Sequence, residues 1–255
     1  MNYEENVMDL GLTDKTALVT GASGDIGAVI ACTLAAEGAR VALGCHTRRD
    51  QAEQLAGQLG AAMVVAHDLA DPATIRAAAD AVVQRWGRLD ILVACAWVTP
   101  GWARPDHPAE DTPIVAWHDQ MCRNAEGTAL TVQAVLPYMR AAGWGRIVLL
   151  SSGAADGAPG LEQYAAAKAA LHGLARSLAR SAGPAGILTN VVMPGLIPTP
   201  KHRQFIPQQA LDQIAAASPT GRLASEQDVA QVVAFLASAA NHSVTGAEIR
   251  VGQGA

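Results

Sequence analysis

The sequence predicts an α/β protein: one doubly wound parallel sheet with helices on both faces. Three observations carry this reading. Short strand-like and longer helix-like segments alternate from end to end. The strands are nearly uninterrupted apolar runs, as expected where both faces of a sheet are covered, rather than the alternating runs of a half-exposed sheet. A glycine-rich turn stands where the first strand gives way to the first helix.

In chain order, ALVT (17–20) is the first strand. The turn Thr20-Gly21-Ala22-Ser23-Gly24-Asp25-Ile26-Gly27 follows it and opens an alanine-rich helix over 26–37. VALG (41–44) leads to a polar helix around 51–59. MVVA (63–66) leads to a helix over Pro72–Trp86, for which Asp71 supplies the cap and Pro72 the first-turn proline. ILVA (91–94), RIVLL (146–150) and LTNVVM (188–193) are further strands, with helices over 121–139 and 163–181 between them and a last strand at Glu248–Val251. The proline-rich piece 98–113 is the one long irregular connection, and connections of that length often carry function. No linker rich in Gly, Ser or Pro divides the chain, so 15–255 reads as a single domain behind an N-terminal tail, 1–14.

Half of the residues are hydrophobic and 16% are charged, enough for a sizeable core and too apolar for wholesale disorder. A net charge of −5 argues against nucleic acid or an anionic membrane as the main partner. Cys32, Cys45, Cys95 and Cys122 form no CxxC pair, and His107 and His118 have no partners at ligand spacing. Reduced cytoplasmic thiols and no metal site are expected. The start MNYEENVMDL lacks the basic and apolar regions of a signal peptide, and no apolar run approaches the ~20 residues of a membrane span.

Glycines at a strand-to-helix turn permit positive φ and close approach of backbone to a pyrophosphate, which the helix N-terminus then stabilises. This places Gly21, Ser23, Gly24, Asp25, Ile26 and Gly27 at a dinucleotide and makes the sheet Rossmann-type. An acid at the end of the second strand would bind a ribose 2′-hydroxyl, but the stretch is Gly44-Cys45-His46-Thr47-Arg48-Arg49, with no acid before Asp50. His46, Thr47 and Arg48 therefore line this end, and Arg48 or Arg49 is suited to a 2′-phosphate. NADPH is expected ahead of NADH.

Tyr164 and Lys168 stand four apart at the start of a helix, hence on one face. A nearby cation stabilises phenolate and lowers a phenol's pKa from near 10, which suits acid–base work at a carbonyl or alcohol oxygen. Ser151-Ser152 ends a strand, where ligands of open α/β sheets bind, and a serine hydroxyl there can bond the reacting oxygen.

With these pieces assembled, the chain from about 15 to 254 resembles the short-chain dehydrogenase/reductase family in its single-domain branch. The matching motifs are TGASGDIG (20–27), HDL (67–69), Asn124 in RNAEG, LLSS (149–152), YAAAK (164–168) and PGLIPT (194–199), followed by GRL (221–223) and VTG (244–246). The resemblance implies Tyr164 as the acid/base, with Lys168 lowering its pKa and binding the nicotinamide ribose. It implies a serine that orients the carbonyl and Asn124 holding a water that relays protons towards Lys168. Asp68 and Leu69 would lie by the adenine, and Pro194, Gly195, Ile197 and Thr199 by the nicotinamide. Strand alignment favours Ser152 as that serine, while the family's serine-to-tyrosine interval fits Ser151. A homotetramer or dimer is implied as well.

Three departures bear on function. Position 25 is Asp, so the glycines follow a spacing found in the extended branch, which includes epimerases and dehydratases. Ala94-Cys95-Ala96-Trp97 stands where the family has Asn-Asn-Ala-Gly, which removes two amides and puts an indole beside the cleft. The interval from Trp97 to Asn124 is long and holds Trp102 with Pro100, Pro105, Pro108 and Pro113. Prolines stiffen a loop and tryptophans offer flat apolar contact, so Trp97 and Trp102 are expected to bind substrate. The expected activity is reduction of a bulky or aromatic ketone, a polycyclic polyketide being one case. The alternatives are a dinucleotide-binding sensor and an epimerase or dehydratase on the same site.

Overall fold

A computed structural model describes residues 9–98 and 108–252. Seven parallel strands form one sheet in the order β3-β2-β1-β4-β5-β6-β7: β1 Thr16–Thr20, β2 Arg40–Cys45, β3 Ala62–Ala66, β4 Ile91–Ala94, β5 Gly145–Leu150, β6 Ile187–Pro194 and β7 Glu248–Val251. The helices are α1 Asp25–Ala36, α2 Arg49–Gln58, α3 Pro72–Trp86, α4 Ile114–Gln120, α5 Gly127–Ala142, α6 Glu162–Ala182, α7 Pro200–Phe205, α8 Gln208–Ala217 and α9 Glu226–Ala237. This is the doubly wound Rossmann-type sheet that the alternation predicts.

The apolar strands divide their residues between two cores because successive side chains of a strand point to opposite faces. Val19, Leu43, Val93, Val148 and Val192 pack on one face with Ile30 and Leu34 of α1 and Val229 and Val233 of α9. Leu18, Ala42, Leu92, Ile147 and Val191 pack on the other with Val82 of α3, Val135 of α5 and Leu171 and Leu178 of α6. The strand order reverses between β1 and β4, and a crevice opens at their C-terminal ends, where sheets of this type bind ligands. The glycine turn, the segment after Ala94 and the serines after β5 all lie along that edge.

The structure departs from the sequence reading between β4 and β5. A helix was expected over 121–139; instead α4 starts at Ile114, with Pro113 as its cap, and runs through a π-helical turn, Met121–Glu126, into α5. Proline suits a helix start, and Pro113, the last proline of the loop, caps α4; Pro137 is carried inside α5. The short helices α7 and α8 follow β6. Leu12, in the segment read as a tail, is buried, and Ala239 donates to the Leu10 carbonyl at 2.8 Å. Trp102, Pro100, Pro105 and His107 lie outside the described residues.

Candidate active site

The glycine turn is built around close backbone approach. Gly21 has φ +67°, and a Cβ there would sit 2.7 Å from Cα of Ala96, so the end of β4 abuts it directly. A Cβ on Gly27 would lie 2.3 Å from the Gly21 carbonyl oxygen. Gly24 caps α1 with extended backbone and no side-chain bond, and its carbonyl takes the first helical bond from Ala28 at 2.8 Å. The first-turn amides, including those of Asp25 and Ile26, are left without intrahelical acceptors. Asp25 itself is exposed. A cleft of about 250 Å³ opens here, lined by Ser23, Gly24, Asp25, Gln51 and Gln54 among others. Glycine-cleared backbone beside a free helix N-terminus fits a dinucleotide pyrophosphate.

The two arginines after β2 behave differently. The Arg48 guanidinium reaches the glycine turn, 3.3 Å from where a Gly24 Cβ would stand, whereas Arg49 is held by Glu53 at 2.7 Å. His46 pairs with Asp68 at 3.4 Å, and Thr47 is exposed. Asp68 also accepts from the Ala70 amide at 2.9 Å, while Leu69 is buried with its carbonyl against Gly127. Beyond β6, the Gly195 amide donates to Val251 at 2.9 Å, the Ile197 carbonyl accepts from Thr199 at 2.8 Å, and Thr199 caps α7. Pro194 ends β6.

The structure distinguishes the two serines. Ser152 lies near enough to the Tyr164 phenol to act on its pKa, and accepts from the Ala154 amide at 3.2 Å, capping the short turn Gly153–Asp156. Ser151 is buried and turned the other way, donating to the Lys168 carbonyl at 3.1 Å and meeting His172 Nε2 at 2.9 Å. Adjacent residues of extended chain face opposite sides, so only one of the pair reaches Tyr164.

Lys168 stands one turn beyond Tyr164 on α6, buried, with Nζ donating to the Leu150 carbonyl at 2.7 Å. Burial lowers its pKa to about 8. The Tyr164 phenol is held above its ordinary pKa by burial, against which Ser152 acts. In this arrangement the Lys168 ammonium is turned to the Leu150 carbonyl. Trp97 roofs both groups: its ring centroid is 4.0 Å from that of Tyr164 at 62°, and Lys168 Nζ is 5.0 Å from the indole.

Asn124 sits in the π-helical turn, a local irregularity common at functional sites. Its Oδ1 accepts from the Val98 amide at 2.8 Å, and its Nδ2 donates to the Val98 carbonyl at 3.2 Å and to Gln120 Oε1 at 2.8 Å. Both amide protons are thus used on protein, and the side chain clamps the residue after Trp97. Sequence reasoning missed two supports. Gln120 is buried beside Asn124. Thr20 Oγ1 accepts from Cys95 at 3.1 Å and from Ala96 at 3.0 Å, fixing the strand end where the family's asparagines are absent. Burial pushes the Cys95 thiol up to about 11, which keeps it from acting as a nucleophile at neutral pH. Among the described residues no group of three His, Cys, Asp or Glu side chains stands ready for a metal ion. A second cleft, about 360 Å³ between α8 and the segment 221–226, contains none of these groups.

A family model described as enoyl-(acyl carrier protein) reductase matches residues 21–255. The chain belongs to the short-chain dehydrogenase/reductase family. It is an NAD(P)-dependent oxidoreductase of that family, acting between alcohols and ketones. It is 38% identical over 252 residues to a D-threitol dehydrogenase of Mycolicibacterium smegmatis, covering 96% of this chain and 94% of that one. It is 37% identical over 242 residues to the 3-oxoacyl-acyl-carrier-protein reductase FabG of Escherichia coli, covering 94% and 96%. Among solved structures, a gluconate 5-dehydrogenase from Burkholderia cenocepacia in complex with NADP and tartrate superposes with a TM-score of 0.86 at 30% identity, covering 95% of each chain. No helix among the described residues is long and apolar enough to cross a membrane.

Proposed function

We propose that this short-chain dehydrogenase/reductase is an NADPH-preferring carbonyl reductase acting on bulky or aromatic ketones. The observation that carries the reading is Ser152 beside the Tyr164 phenol, with Lys168 one helical turn away and Trp97 against both Tyr164 and Lys168. The bound dinucleotide supplies the hydride. Ser152 donates a hydrogen bond to the ketone oxygen and polarises it, and Tyr164 delivers the proton that the oxygen gains. Lys168, freed from Leu150, binds the ribose hydroxyls and places its charge beside the phenol, easing ionisation once the proton has gone. Thr20 and Asn124 hold the segment that carries Trp97, which excludes water from the phenol and offers an apolar face to a flat substrate.

The cofactor preference rests on Arg48, turned towards the glycine turn, on the lack of an acid in the sequence from Gly44 to Arg49, and on a structural neighbour solved with NADP. Residues 15–255 act as one catalytic domain in a cytoplasmic homo-oligomer, a dimer or tetramer. Edge strand β7 offers its unpaired edge for that assembly, while Val251 lies in the core with Ile249 packed against it. The test is direct: protein and NADPH are mixed with a panel of aromatic, bicyclic and small aliphatic ketones while absorbance of the reduced cofactor is followed. Consumption dependent on ketone, fastest with bicyclic members, supports the reading. Cofactor binding with no turnover of any member overturns it in favour of a sensor.

A further inference from the structure

We infer that Ser151, His172 and Glu248 form a positioning link that keeps Ser152 in register with Tyr164; the inference rests on the assignment of those two residues proposed above. Ser151 is buried, and its hydroxyl meets α6 twice, at the Lys168 carbonyl and at His172 Nε2. The other ring nitrogen of His172 lies 3.0 Å from Glu248 on β7, and Glu248 also pairs with Arg176. Two residues along β7, Arg250 pairs with Asp156, which ends the turn begun at Ser152. Glu248 and Arg250 share a face of the strand, so β7 grips α6 with one and the turn after Ser152 with the other. The two pieces that carry Ser152 and Tyr164 are thereby tied to a common strand and, through Ser151, to each other.

His172 is the centre of the link. A serine hydroxyl has one proton and a carboxylate has none. His172 Nδ1 faces the Glu248 carboxylate, and Nε2 shares a hydrogen bond with Ser151 whose direction is set by the tautomer. The charged neighbours of His172 are Glu248, Arg176, Asp156 and Arg250, two of each sign. Apolar packing would fill the space under α6 equally well. A buried polar chain instead fixes direction, and the proton transfer requires direction more than it requires burial.

The experiment compares Ser151→Ala, His172→Leu, His172→Gln and Tyr164→Phe with the wild type, using NADPH and the fastest ketone of the panel. Ser151→Ala and His172→Leu are expected to lower kcat about tenfold while KM and the NADPH Kd stay within about twofold. His172→Gln keeps an N–H for Ser151 and should recover to within about threefold of wild-type kcat. A role confined to stability would instead lower Tm and leave kcat unchanged in the folded fraction. The inference is overturned if kcat holds in both Ser151→Ala and His172→Leu, or if His172→Gln is as impaired as His172→Leu. Should His172→Leu fail to fold, Ser151→Ala decides alone, since it removes one hydroxyl. Tyr164→Phe separates the two levels. If it turns over like the wild type, or if the wild type turns over nothing, the parent reading falls and the link with it. If Tyr164→Phe is inert and the link variants are normal, only the link falls.

Discussion

Specificity at this site comes down to a few side chains and their immediate neighbours. Arg48 faces the glycine turn while Arg49 is engaged by Glu53, so the two arginines that look equivalent in sequence separate in space. Arg48→Ala should weaken NADPH binding about tenfold or more, the value of one charge-assisted hydrogen bond, and leave NADH nearly unaffected. Arg49→Ala should change neither, and fluorescence titration with both cofactors checks the pair. Trp97 presents a second case. Its ring meets that of Tyr164 edge-on in place of a family glycine, so Trp97→Gly should open the roof. The ratio of kcat/KM between small and bicyclic ketones should rise by about tenfold, with the aromatic contact itself contributing only about 0.5–1.5 kcal/mol to stability. A lowered Tm with an unchanged ratio would make Trp97 a packing residue.

At the scale of elements, periodicity made most of the fold legible. Every strand that the apolar runs mark out is present, and the glycine turn and YAAAK sit at the starts of helices as their spacing implies. What stayed hidden depends on contacts between elements distant in sequence. Nothing local says that Thr20 secures Cys95 and Ala96, or that the Trp97 indole meets Tyr164. The order of Ser151 and Ser152 is decided by which face of the strand end meets α6, a tertiary fact. The prolines read as loop also conceal α4. His67 illustrates the same dependence. It ends the β3 side of the sheet and bonds Thr131 of α5 at 3.0 Å, and burial holds its pKa down at about 4. The unfolded chain takes up that proton near pH 6.5, so the stabilisation is complete above this value and is lost as pH falls towards 4. The loss should reach about 3 kcal/mol. Denaturant melts of wild type and His67→Gln across that interval should converge as pH falls; parallel curves would contradict the assignment.

For the whole molecule, the reversal of strand order between β1 and β4 sets the position of everything else. It opens the crevice, puts the glycine turn and Trp97 on its rim, and brings β5 and α6 to its side. The edge strand β7 then has two duties, holding α6 through Glu248 and offering the proposed surface for assembly. Sedimentation at micromolar concentration should give a dimer or tetramer, and a monomer would remove the second duty. The central claim is that Tyr164 supplies the proton for ketone reduction while other residues bind the cofactor. Its most direct test is to measure steady-state NADPH oxidation and NADPH Kd side by side in wild type and Tyr164→Phe. The account predicts a kcat loss of about a hundredfold or more, the range of acid–base catalysis, with Kd within about twofold of wild type. Turnover by Tyr164→Phe at near the wild-type rate would contradict it.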